Sequence, residues 1–102
     1  MKLRLSSLAK QQLREGYHFY ERQSAGLGSY FLDSLMADID SLHIHAGVHV
    51  VVFGSYHRLL ARRFPYSIYY RVAASVVSVH AILDNRRNPE WILKQLAGSQ
   101  EP

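Results

Sequence analysis

The hydrophobic period of this chain changes once, at Gly47, and that change decides its fold class. Before it, apolar residues recur every three or four positions. Ala9, Leu13, Tyr17 and Tyr20 form one helical stripe, with Lys10, Arg14, Glu15 and Glu21 off it. Ser6 or Ser7 stands where an N-cap belongs. Gly26 and Gly28 mark a stop and a restart. A second stripe follows, made of Leu27, Phe31, Leu35, Ile39 and Leu42, with Asp33, Asp38 and Asp40 on the solvated side. Two amphipathic helices joined by so short a linker predict an antiparallel hairpin.

After Gly47 the period becomes two. His49 to Phe53 reads as a short strand or an extended lead-in, and Gly54-Ser55 as a turn. Arg58 to Phe64 alternates unevenly as a strand, and Pro65 ends it or sits at an edge or corner, because proline has no N–H to give to a ladder. Tyr66, Ile68, Tyr70 and Val72 share one face of the next strand, and Ser67, Tyr69 and Arg71 the other, which makes Tyr69 the best-placed tyrosine for exposure. Ala73-Ala74-Ser75 must turn the chain without the usual Asn-Gly pair. Val76 to Leu83 is apolar on nearly both sides, the mark of a central strand. Asn88-Pro89-Glu90 starts a last helix that buries Trp91, Ile92 and Leu96. At the other end, Leu3 and Leu5 alternate with Lys2 and Arg4 as a short strand. The predicted class is α+β: an antiparallel sheet of three to four strands, an N-terminal strand inserting into or edging it, the helical hairpin on one face, and a short C-terminal helix. A length of 102 residues predicts one domain spanning 1–102.

Charge is distributed unevenly. The net charge is +4, yet no Asp or Glu occurs between Asp40 and Asp84, while Arg58, Arg62, Arg63 and Arg71 all fall there. A one-signed stretch of this kind favours anionic partners, either nucleic acid or an acidic protein segment. The chain has no cysteine, which excludes disulfides and thiolate metal sites. It has no signal-like N-terminus, and no run approaches the roughly 20 apolar residues of a membrane span. The expectation is a cytoplasmic protein without membrane contact.

Catalytic patterns are sparse. Gly26-Leu27-Gly28 fits neither dinucleotide nor P-loop spacing. His43 and His45 sit at the end of a helix on different sides of it, so the expectation is no metal and no cofactor. His80, inside an apolar strand, reads as a buried hydrogen-bonded side chain, with proton carriage or RNA contact as the functional alternative. The residues that suit an anionic target are Arg62, Arg63, Tyr69, Arg71, Arg86, Arg87 and Trp91.

Three pieces in this order carry a family resemblance. They are the Gly26-Leu27-Gly28 segment with Phe31, the strand Arg62-Arg63-Phe64-Pro65-Tyr66-Ser67-Ile68-Tyr69-Tyr70, and the end Ala81-Ile82-Leu83-Asp84-Asn85-Arg86-Arg87-Asn88-Pro89-Glu90-Trp91. Together, from Leu3 to Trp91, they resemble the RelE/ParE superfamily of bacterial type II toxins. The resemblance implies one of two activities: inhibition of DNA gyrase, as in ParE-like members associated with plasmid stabilization, or ribosome-dependent cleavage of mRNA, as in RelE-like ones. It also implies a cognate antitoxin, in a hetero-oligomer with the toxin, and leaves a homodimer open. For the ribonuclease the matching positions would be Arg63, Arg71, His80, Arg86 and Arg87. The ribonuclease pattern is poorly kept, however. Ser67 stands where RelE-like proteins carry an arginine, and Trp91 stands near the place of a catalytic tyrosine, where an indole can only donate. The resemblance therefore points to the ParE-like, non-nuclease branch, with a basic binding module of the same fold as a further alternative.

Overall fold

The computed structural model describes residues 1–98, so residues 99–102 of the expected domain lie outside the described range. In chain order the elements are β1 (Lys2–Leu5), α1 (Ser7–Gln23), α2 (Leu27–Asp40), α3 (Leu42–His45), β2 (Val51–Val52), β3 (Tyr56–Leu60), β4 (Tyr66–Ala73), β5 (Val76–Asp84) and α4 (Pro89–Gly98). The sheet has five strands in the order β1-β5-β4-β3-β2. β1 runs parallel to β5 at one edge, and the other pairings are antiparallel. β5 lies inside the sheet, between β1 and β4, in line with its two-sided hydrophobicity.

Each face of the sheet has its own core. On one side α1 and α2 bury Leu13, Tyr20, Phe31, Leu35 and Ile39 against Ile68, Tyr70, Val77 and Val79. On the other, α4 brings Ile92 and Leu96 onto Tyr56, Tyr69, Ala81 and Leu83. The two cores correct the expected exposure of Tyr69. Its face assignment holds, but that face is covered by α4, and the ring is 1% exposed.

One irregularity in the sheet arranges much of the molecule. The β4–β5 register slips between Tyr69, opposite Ala81, and Tyr70, opposite Val79, so His80 is the extra residue of a β-bulge. The bulge lets Val79 and Ile82 both face the hairpin while Ala81 and Leu83 face α4. Ser6 ties the start of α1 to it. Its Oγ accepts from Ala9 N at 3.0 Å, capping α1, and donates to the His80 carbonyl at 2.8 Å.

The helical hairpin depends on close approach. A Cβ on Gly16 would stand 2.5 Å from the Phe31 ring, and one on Gly28 would stand 2.6 Å from the Tyr17 carbonyl. Gly16 therefore occupies the contact line, and Tyr17 of the expected stripe is only half-buried. Gly26 caps α2 without a side chain, and Glu21 supplies one from α1: its carboxylate accepts from Gly26 N at 3.0 Å and Gly28 N at 2.9 Å.

Three further expectations are corrected. Asp38 is not on a solvated face; it is 5% exposed, and its Oδ2 accepts from Arg62 N at 3.1 Å. That bond draws the chain out of the sheet, so β3 ends at Leu60, and Arg62 to Phe64 form a loop rather than strand. The second helical stripe also breaks, at Ser41, so that Leu42 belongs to α3. Phe64 then packs in the loop against Tyr20, Tyr30 and Phe31.

Candidate functional site

The arginines singled out from sequence gather mainly at one end of the sheet. The β3–β4 loop carries Arg62 and Arg63, the β5–α4 loop carries Arg86 and Arg87, and Asn85 N joins the two loops by donating to the Pro65 carbonyl at 2.8 Å. All four arginines are exposed. They are not equivalent. Arg86 is held by Asp84, with Nη2 at 2.7 Å from Oδ2 and Nε at 3.0 Å from Oδ1. This fork lowers the Asp84 pKa below the usual carboxylate range and raises that of Arg86. Arg86 is thus partly neutralised within the chain. Arg87 lies instead across the Trp91 ring, its Cζ 3.9 Å from the centroid, and keeps its guanidinium edge for an outside acceptor.

The sheet face under α4 holds the second group. Arg71 stacks on Tyr56, Cζ 4.1 Å from the ring centroid, and His80 meets the same ring edge-on at 5.4 Å. His80 is 5% exposed, in line with the buried reading from sequence. Ser67, at 0% exposure, donates from Oγ to Asn85 Oδ1 and so serves the β5–α4 loop rather than any ligand. The five residues of the ribonuclease expectation do not converge: Arg63 and Arg86 sit at the loop end, Arg71 lies toward the other end of β4, and His80 is covered. Tyr69 offers no surface to a partner.

Sequence reasoning counted Arg58 in the acid-free run but did not single it out as a site residue. It pairs across the ladder with Tyr69, which puts it on the same face as Arg71, and both arginines have a buried Nε with no acceptor among the described residues. The signal was available in the alternation Tyr56, Arg58, Leu60 inside the acid-free run. Arg58 and Arg87 border a cleft of about 390 Å³ floored by Leu60, Tyr69 and Ile92. On its other side Arg87 lines a groove of about 540 Å³ between α1 and α4, together with Phe19, Arg22, Tyr66 and Trp91. Burial and the neighbouring Tyr20 push the Tyr66 phenol up to about 12, so it stays a neutral donor at the groove.

A third recess lies on the outer side of the hairpin. It measures about 360 Å³, has Leu13, Tyr17 and Leu32 as its apolar surface, and carries Lys10, Arg14 and His18 at its rim. Among the described residues no group of three or more His, Asp or Glu could hold a metal, and no helix is long and apolar enough to cross a membrane. Chemically, the molecule presents arginines and aromatic platforms for anions, and His80, the histidine beside Arg71 and Tyr56, is covered.

Comparison with known proteins is consistent with this architecture. No protein-family model and no curated protein matches the sequence. Among solved structures, the chain matches one described as the chromosomal ParDE TA system from P. aeruginosa, with a TM-score of 0.72 and 18% identity, over 80% of this chain and 92% of that one. At that identity the likeness is one of fold, and the fold of this chain is ParE-like.

Proposed function

We propose that this protein is the toxin of a type II toxin–antitoxin pair, of the ParE-like kind that inhibits DNA gyrase, and that a cognate antitoxin neutralises it. The observation that carries the reading is the fold match to a ParDE system along nearly the whole of that chain. The site chemistry supports the non-nuclease branch. Metal-independent RNA cleavage needs a base that reaches the 2′-hydroxyl and cations that converge on the phosphate. Here His80 is covered, Trp91 is a donor only, and Arg86 is engaged by Asp84. A protein target asks less: exposed cations and aromatic anchors on a rigid frame, which Arg62, Arg63, Arg87 and Trp91 supply.

The antitoxin has a matching place. An amphipathic helix with acidic flanks fits the recess of Leu13, Tyr17 and Leu32, where Lys10 and Arg14 face its carboxylates. Controlled expression in bacteria tests the function. The reading expects growth arrest with chromosome breaks, relieved by co-expression of the antitoxin. Codon-specific mRNA cuts on translating ribosomes would assign the protein to the ribonuclease branch, and unimpaired growth with folded soluble protein would remove the toxin reading.

A further inference from the structure

The segment between α3 and β3 is bounded by two glycines in the left-handed region, Gly47 at φ +94° and Gly54 at φ +88°. Between them little is buried. Val48, Val50 and Val51 are all more than half exposed, and β2 pairs with β3 over only two residues. A bond from Arg58 N to the Val50 carbonyl at 2.9 Å extends that pairing by one step. Burial so slight gives the segment little hydrophobic hold. Its main attachment is polar, a cluster of His49, His57 and Tyr70.

Tyr70 is the hub of the cluster. Burial raises the pKa of its phenol, which therefore stays neutral and has one hydrogen to give. Gly47 N donates to the phenol oxygen at 3.0 Å, and the backbone of His49 faces the same oxygen as a second donor. The remaining contact is with His49 Nδ1. With donors already on the oxygen, the hydroxyl hydrogen goes to Nδ1, which makes His49 a neutral ring with its hydrogen on Nε2. His57 is set the other way. Its Nδ1 lies 2.8 Å from the His49 carbonyl, which can only accept, so Nδ1 carries the hydrogen, and the ring stacks on Tyr70 with centroids 5.0 Å apart. The two histidines therefore answer acid differently. A proton on His57 enters at Nε2 and leaves its bond intact. A proton on His49 enters at Nδ1, aims a third donor at the phenol oxygen and leaves the hydroxyl hydrogen without its acceptor. The surroundings add to that cost. His57 faces His49 from β3, His45 from α3 and the uncharged Tyr70 from β4, and burial first, then His57 and His45, lower the His49 pKa. His43 turns instead to the Met1 carbonyl at 3.1 Å, and Tyr56 and Arg58 point to the other face of the sheet. The stretch between Asp40 and Asp84 holds no carboxylate to offset a positive charge.

We propose that residues 47–52 form an acid-released strap, closed over the β3 edge while His49 is neutral and freed from it, between Gly47 and Gly54, when His49 takes a proton. The closed strap accepts only the neutral ring, which fixes the sign. Its hold is complete above the ordinary histidine value of 6.5 and weakens as pH falls below it. Release removes β2 from the sheet and leaves β3 as the edge, while the buried members of both cores lie outside the strap. The fold thus carries a sheet edge whose exposure is set by one histidine, and the inference does not depend on the toxin reading.

Native-state hydrogen exchange of the full-length protein, followed by NMR from about pH 7.5 to about pH 5 and corrected for the intrinsic chemical rate, reads the strap. The proposal expects Arg58 N–H, which donates to the Val50 carbonyl, to lose protection about fivefold or more at the acid end, while amides of the β4–β5 ladder keep theirs. His49→Asn sets an amide oxygen that does not titrate near the place of Nδ1, and should remove the pH dependence with the strap still closed. Tyr70→Phe removes the hub and should leave Arg58 N–H poorly protected at both ends of the range. Side-chain nitrogen shifts of the wild type read the His49 tautomer directly, so the proposal stays testable if a variant fails to fold; hydrogen on Nε2 is expected at the neutral end. Protection of Arg58 N–H that ignores pH, a pH dependence that survives His49→Asn in full, hydrogen on Nδ1 at the neutral end, or a loss spread equally over β4 and β5 would overturn the proposal.

Discussion

Ser6 shows how much one side chain can join. Its hydroxyl caps α1 and holds the carbonyl of the bulged residue His80, so it links the first helix to the irregularity that orients the central strand. Ser6→Ala should lower folding stability by about 1–3 kcal/mol, the sum of a lost cap and an unserved buried carbonyl. Denaturant titration reads the change, and a loss under about 0.5 kcal/mol would mean that water replaces both bonds. At this scale the sequence was only partly legible. Ser6 was readable as a cap because it precedes an amphipathic stripe. Its second bond was not, because nothing local to Val79-His80-Ala81 announces a bulge. Tyr69 was correctly placed on the face of Ser67 and Arg71, and its burial was hidden because it depends on where α4 lands. Asp38 read as solvated for the same reason: its partner, Arg62 N, is distant in sequence and a backbone group.

Elements carry the next set of consequences. The β4–β5 hairpin closes with Ala74 at φ +52° and Ser75 at φ +63°, two left-handed residues between the paired Ala73 and Val76. This is the geometry that Asn-Gly adopts with little strain. Replacing Ala74→Asn together with Ser75→Gly should therefore raise stability by roughly 1–2 kcal/mol, measured by thermal or denaturant melting. No gain would mean that the turn is relaxed in solution. The hairpin of α1 and α2 has a titratable clasp in Glu21. Its carboxylate accepts from Gly26 and Gly28, and these bonds hold its pKa below the ordinary 4.5. Because the folded state prefers the charged form, the contribution is complete above the unfolded value and is lost as pH falls through the folded one. Denaturation midpoints of the wild type and Glu21→Gln should differ at about pH 7 and converge toward about pH 3. A difference that persists in acid would contradict the assignment. The helices themselves were legible from their stripes, and so were β4 and β5 from alternation. β3 was set too far along the chain because Arg58 to Phe64 alternates unevenly, and only the Asp38 bond fixes its end at Leu60.

For the molecule as a whole, one sheet separates two cores, and recesses open beside both of them. The hairpin side offers an apolar recess with a cationic rim. The α4 side offers the Arg58–Arg87 cleft, and Arg87 forms the ridge between that cleft and the groove along α1. The α+β architecture followed from the single change of period at Gly47, while the convergence of the arginines at one end followed from the Asn85–Pro65 bond, which no periodicity encodes. Of the terminal arginine pair, Arg87 is the one whose loss should matter to a target, because Arg86 is already answered by Asp84. The most direct test is plasmid supercoiling by purified DNA gyrase, titrated with this protein, Arg86→Ala and Arg87→Ala. The account predicts dose-dependent loss of supercoiling or accumulation of cleaved plasmid with the wild type, little change for Arg86→Ala, and a weaker effect for Arg87→Ala. Folded wild-type protein that leaves gyrase untouched at every dose would contradict it.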